Sequence, residues 1–223
     1  MKRIADIDCL VEKGSSKKAI VVLHGYGASC QDLAPIGNYI DPDQEYHWYF
    51  LDAPLSVDLG YGMQGRAWFP IDMIGLQQAI MSGHFASFFK ELPEGFDLST
   101  HKVKNFLQTI EDEFDEILLG GFSQGSMISS NVAFSNEGLV SKLFLLSSTF
   151  VNETHWRDLL SKGIKLPIFQ SHGTADPVLP VSEAQRLRDF LKENDQFHEY
   201  YEFQGGHEIP MPILNKLQSF LKG

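Results

Sequence analysis

Five residues, Gly121-Phe122-Ser123-Gln124-Gly125, form a G-x-S-x-G unit. They stand between an apolar run, Glu116 to Leu119, and a stretch with helical apolar spacing, Met127 to Phe134. A sharp strand-to-helix turn of this kind holds its central serine in a strained backbone conformation. Small residues two before and two after it let strand and helix come close enough to project the hydroxyl outward. Ser123 would then stand at the carboxyl edge of a sheet. There the start of the next helix aims free NH groups and its positive dipole end at any oxyanion that forms. The plain alternative is a glycine-rich turn without chemistry; the strand before and the helix after favour a nucleophile.

A serine hydroxyl is a poor nucleophile at neutral pH and needs a base within hydrogen-bond reach. Of the eight histidines, His207 is the best placed, because it follows the last apolar run through Gly205-Gly206 and precedes a final helical segment. That is a loop at the carboxyl end of a strand, where open α/β sheets carry their sites. His198 lies inside a strand, and His47, His84, His101 and His155 fall in segments with no partner motif. The third member must be a carboxylate that holds the imidazole in the right tautomer. Asp176, in His172-Gly173-Thr174-Ala175-Asp176-Pro177, meets that need, although an Asp-Pro turn residue is its plain alternative. The order Ser123, Asp176, His207 is the chain order of α/β hydrolases. Acyl transfer also needs NH donors for the tetrahedral oxyanion, each worth roughly 3 kcal/mol of barrier. The Gln124 amide can be one, and the turn His24-Gly25-Tyr26-Gly27 can supply the other, with His24 itself a structural residue that lacks an acid beside it.

Short apolar runs bounded by turn residues must position these groups. Lys18 to Leu23, Tyr46 to Leu51, Glu116 to Leu119, Lys142 to Leu146, Leu166 to Gln170 and Phe197 to Phe203 read as strands, the last more polar and nearer an edge. Helical spacing appears at Val103 to Phe114, Met127 to Phe134, Ala184 to Leu191 and Ile213 to Leu221. This alternation predicts an α/β fold, a mainly parallel sheet with helices on both faces, with Ile4 to Val11 an antiparallel strand at one edge. Residues 71–99, rich in Phe and Met, fit either a core-facing helix or helical hairpin, or a mobile cap over a substrate pocket.

The chain has 223 residues, 43% hydrophobic and 21% charged, enough for one domain with a sizeable core. Its 18 basic and 29 acidic residues leave a net charge of -11, which argues against nucleic acid or an anionic membrane as partner. No apolar run reaches the ~18 residues of a membrane helix, and Asp6, Asp8 and Glu12 interrupt any signal-peptide core. A soluble protein without stable membrane insertion is expected. Cys9 and Cys30 are too few and wrongly spaced for a disulfide framework or a zinc site, so reduced thiols and a cytoplasmic setting are expected. A homodimer is left open.

The chain resembles the phospholipase/carboxylesterase family of α/β hydrolases, which includes bacterial carboxylesterases and acyl-protein thioesterases. The resemblance runs through Leu23-His24-Gly25-Tyr26-Gly27, Asp52-Ala53-Pro54, Ala67-Trp68-Phe69, Gly120 to Gly125, His172-Gly173 with Asp176 to Pro180, and Gly206-His207-Glu208. It implies a hydrolase without metal or organic cofactor, with Ser123, Asp176 and His207 as triad. It also implies the Tyr26 and Gln124 amides as oxyanion hole and Trp68 and Phe69 along the acyl side of the cleft. The expected activity is that of a serine carboxylesterase acting on small-molecule esters of short to medium acyl chains. Acyl-protein thioesterase or lysophospholipase activity is the alternative within enzymes, and a catalytically silent binding protein the alternative outside them. The chain departs from the family pattern at Pro70-Ile71-Asp72, where relatives read Asp directly after Trp-Phe. Ser126 replaces a common third glycine, and the 71–99 segment is longer and more aromatic.

Overall fold

The computed structural model describes residues 1–194 and 196–223. Strands β1 (Lys2–Ile4) and β2 (Ile7–Glu12) form a hairpin through Ala5 and Asp6, both at positive φ. Strand β3 (Lys18–Leu23), helix α1 (Cys30–Ile40) and strand β4 (His47–Leu51) follow. A second hairpin, β5 (Leu55–Gly60) and β6 (Met63–Ala67), leads into helices α2 (Met73–Met81), α3 (Phe85–Phe88) and α4 (Phe96–Ile110). The rest alternates: β7 (Glu116–Phe122), α5 (Gln124–Ser135), β8 (Lys142–Leu146), α6 (Glu153–Leu160), β9 (Ile168–Gly173), α7 (Val181–Glu193), β10 (His198–Phe203) and α8 (Met211–Lys222).

Eight strands pair in the order β1-β2-β4-β3-β7-β8-β9-β10, parallel from β4 to β10 and antiparallel at β1 and β2. The near-continuous apolar runs follow from burial on both faces. Along β3, Ala19, Val21 and Leu23 enter one core with residues of α4, α5, α6 and α7. Ile20 and Val22 enter the other, under α1 and α8. At the far edge β10 is mostly half-buried, in keeping with its polar sequence.

Several boundaries differ from the sequence reading. The expected strand Ile4 to Val11 is two strands, because the left-handed Ala5-Asp6 pair turns the chain back. β7 runs on through Gly120-Gly121-Phe122, and β9 runs on through Ser171-His172-Gly173, so the glycines lie within strands that carry the site. The β5–β6 hairpin was not foreseen, although Leu55-Ser56-Val57-Asp58-Leu59 alternates apolar and polar residues; it forms its own two-stranded sheet with an irregular register at Asp58/Gly60. Helix α1 was hidden by Pro35 and Gly37, both within it.

The 71–99 segment begins at α2, where the Asp72 carboxylate accepts the Gly75 amide at 3.0 Å. Its apolar residues divide. Phe85 and Phe89 are buried and Ile80 and Phe88 pack against the core, whereas Ile74 and Met81 face solvent. Among the described residues, no helix is long and apolar enough to cross a membrane.

Candidate active site

Ser123 occupies the step from β7 to α5 with φ 53° and ψ -120°, a left-handed conformation costing about 1–3 kcal/mol for a non-glycine residue. Its surroundings hold it there. The Ser123 amide donates to Leu146 O at 2.8 Å. The hydroxyl of Ser126, fully buried, donates to Ser123 O at 2.5 Å. Ser126 therefore ties the first turn of α5 to the nucleophile position where a glycine could not. The two flanking glycines have a steric cause. A Cβ on Gly121 would lie 2.6 Å from Leu23 O, and one on Gly125 2.2 Å from the same atom, so the elbow fits against the end of β3 only without side chains.

Asp176 follows β9 and His207 follows β10, and parallel pairing of those strands brings the two loops together. Backbone bonds from Thr174 N to Phe203 O and from Ala175 N to Gly205 O, both 2.9 Å, join them. A Cβ on Gly173 would lie 2.1 Å from Gly206 O, which accounts for the glycine after His172. Across this junction His207 Nδ1 and Asp176 Oδ2 are 2.7 Å apart. The Asp176 carboxylate is wholly buried. Its other oxygen accepts the Val178 and Leu179 amides at 2.8 and 2.9 Å. Burial works to raise the carboxyl pKa, but hydrogen bonds from His172, His207 and the Leu179 amide outweigh it and hold the group well below the usual carboxylate range. The His207 ring lies against that of Phe122, the residue before Ser123, with centroids 4.7 Å apart. Among the described residues no hydrogen bond yet joins Ser123 Oγ to His207, a bond that commonly tightens only on substrate binding. His198, in β10, has its pKa pushed down to about 4 by burial and then by Lys192 and Arg188.

The loop His24 to Gly27 passes directly over the elbow: a Cβ on Gly25 would lie 3.3 Å from Ser123 Cβ. His24 is buried and neutral, its pKa lowered chiefly by burial. Its Nδ1 faces Gly25 O at 2.7 Å and its Nε2 accepts the Ala53 amide at 3.1 Å, so both nitrogens are occupied by backbone. Strand β6 braces the same loop, with Gly27 N donating to Arg66 O and Arg66 N to Ala28 O. Among the described residues, the amides of Tyr26 and Gln124 have no protein acceptor.

Trp68 and Phe69, expected along the acyl side of the cleft, are both fully buried in this structure. The Trp68 indole donates to His24 O at 2.9 Å, and the Trp68 amide donates to Gln124 Oε1 at 2.7 Å. Gln124 Nε2 donates to Phe69 O at 2.6 Å, and Ser99 Oγ donates to Trp68 O. The pair thus fastens the chain after β6 to the nucleophile elbow. The sequence reading missed the side-chain role of Gln124, and Ser99 altogether; a polar residue inside an apolar helical stripe was the available signal at Ser99. Residues of α3, α6 and α7, with Phe150, line a cavity of about 330 Å³ at the same end of the sheet as Ser123. A second cleft, of about 500 Å³, lined by Lys142, Tyr201 and Lys216, opens at the opposite end and is remote from this chemistry.

A mostly parallel sheet under helices on both faces, with a serine elbow between its fifth paired strand and the following helix, defines an α/β hydrolase. The chain belongs to the phospholipase/carboxylesterase family, whose model matches residues 7–223, and it is a hydrolase. It is 28% identical over 203 residues to acyl-protein thioesterase 1 of Debaryomyces hansenii, covering 83% of this chain and 82% of that protein. The crystal structure of esterase PE8 superposes with a TM-score of 0.78 at 22% identity, over 97% of this chain and 98% of that one. Acyl-protein thioesterase 2 of Zea mays gives 0.72 at 22% identity, over 96% and 97%. These two structural likenesses bear on the fold alone.

Proposed function

We propose that the chain is a serine carboxylesterase that hydrolyses short to medium acyl esters through Ser123, His207 and Asp176. The observation that carries this reading is the 2.7 Å contact between Asp176 Oδ2 and His207 Nδ1 beside the Ser123 elbow. An ionised carboxylate only accepts, so Nδ1 carries the proton and Nε2 keeps its lone pair, the tautomer a general base requires. His207 takes the Ser123 proton as Oγ attacks the ester carbonyl carbon. The tetrahedral oxyanion is held by the amides of Tyr26 and Gln124, and collapse expels the alcohol, which receives the proton from His207. Water then attacks the acyl-serine with the same base and releases the acid and Ser123. The chain's own residues suffice for each step.

Acyl-protein thioesterase or lysophospholipase action is the second reading, favoured by the name and 28% identity of the Debaryomyces hansenii relative. In this reading residues 71–99 cover an acyl chain. Cys9 and Cys30 are both buried and unpaired, which suits a reducing, cytoplasmic setting. Turnover of p-nitrophenyl acetate by wild type and its loss in Ser123→Ala test the proposal; full activity in that variant removes Ser123 from the mechanism. A strong preference for short esters over a palmitoylated peptide counts against the thioesterase reading.

A further inference from the structure

Asp176 faces two histidines, not one. Besides His207, the Nε2 of His172 lies 3.3 Å from Asp176 Oδ2, with both side chains wholly buried. The same Nε2 is 2.8 Å from Leu179 O. A carbonyl oxygen can only accept, so Nε2 of His172 carries a proton and shares it between Leu179 O and the carboxylate. Among the described residues, the other ring nitrogen, Nδ1, is buried without a protein partner.

We infer that His172 is a positioning residue for the general base, its Nε2–H fixing the plane of the Asp176 carboxylate and sharing the oxygen that faces His207. The inference rests on the triad reading above. Two anchors make the arrangement rigid. Oδ1 is fixed by the Val178 and Leu179 amides, and Oδ2 by His172, which is itself tied to Leu179 through its carbonyl. The carboxylate then has one orientation in which to meet His207, and the loop 176–179 is closed on itself around it. Because His172 also draws on Oδ2, it tempers the pull of that oxygen on the His207 imidazole. The other carboxylates nearby are turned elsewhere: Glu208 toward the Gly206 amide at 3.3 Å and Glu183 toward Arg186.

The test is a set of kcat, KM and pH profiles on p-nitrophenyl acetate for His172→Leu, His172→Gln and His172→Asn, with Ser123→Ala and Asp176→Asn as controls. Glutamine carries an NH donor near the place of Nε2, asparagine one that falls short, and leucine none. In His172→Leu and His172→Asn, kcat falls by about tenfold with KM changed by less than about twofold. The acid limb of kcat/KM moves to higher pH, since Oδ2 then acts on His207 alone. His172→Gln returns both readouts toward wild type. A merely structural histidine would lower the melting temperature and leave the acid limb in place. If His172→Leu does not fold, the glutamine and asparagine variants decide between themselves. The inference is overturned if glutamine performs no better than asparagine, or if the His172 variants match wild type while both controls are inactive. Wild-type turnover in Ser123→Ala and Asp176→Asn would instead overturn the triad reading, and this inference with it.

Discussion

The side chain of Gln124 spans the backbone of Trp68 and Phe69, accepting from the Trp68 amide at 2.7 Å and donating to Phe69 O at 2.6 Å. The residue whose amide follows the nucleophile therefore also anchors the chain that leads into residues 71–99. Gln124→Leu removes both bonds and leaves a buried NH and C=O without partners, each costing about 1–3 kcal/mol. Urea unfolding of this variant should show a loss of roughly 2–6 kcal/mol, with the slope of the transition unchanged.

Gly65 lies where a Cβ would come within 2.2 Å of Gly27 O. Gly65→Ala must shift the 24–27 loop relative to Ser123, since the obstacle is Gly27 backbone and cannot rotate aside. Far-UV circular dichroism should be unaltered while kcat for p-nitrophenyl acetate drops by tenfold or more, on the order of what ~1 Å of misplacement costs. An unchanged kcat would separate the hairpin from the oxyanion loop.

The Asp176 carboxyl is held below the usual range by its donors. A depressed folded-state pKa contributes stability that is fully present above the unfolded value of about 3.9 and is lost as pH falls through the folded value. Wild type should therefore be more stable than Asp176→Asn at pH 7, and the gap should narrow as the pH is taken below about 4. Denaturation midpoints of both proteins across that range check the sign.

Burial pushes the Cys9 thiol up to about 11 and the Cys30 thiol up to about 12, with Asp52 adding to the rise at Cys30. Thiolate is the reactive form, so both should resist iodoacetamide at pH 8 in the folded protein. Esterase activity should survive that treatment, and modification should appear only after unfolding in denaturant.

Much of this site was legible because its residues sit where strands end. Ser123, Asp176 and His207 each follow an apolar run, and the strand order turns that linear rule into adjacency. What escaped the sequence has different physics. Trp68 and Phe69 are aromatic beside a site, but the backbone bonds that fasten them come from Gln124, 56 residues away for Trp68. The β5–β6 hairpin differs from the near-continuous apolar runs of the main sheet: Leu55 and Val57 are half-buried while Ser56 and Asp58 between and beyond them are exposed. His172 sits inside a strand, and only the return of the loop at Leu179 and Asp176 shows what its ring serves.

The central claim is that Ser123 is an activated nucleophile served by His207. Labelling of the folded protein with a fluorophosphonate probe, read by intact mass and peptide mapping, tests it most directly. The account predicts a single adduct on Ser123, none in Ser123→Ala, and labelling slowed by more than about a hundredfold in His207→Ala. Absence of labelling in folded wild type, or labelling that His207→Ala leaves at full rate, would contradict it.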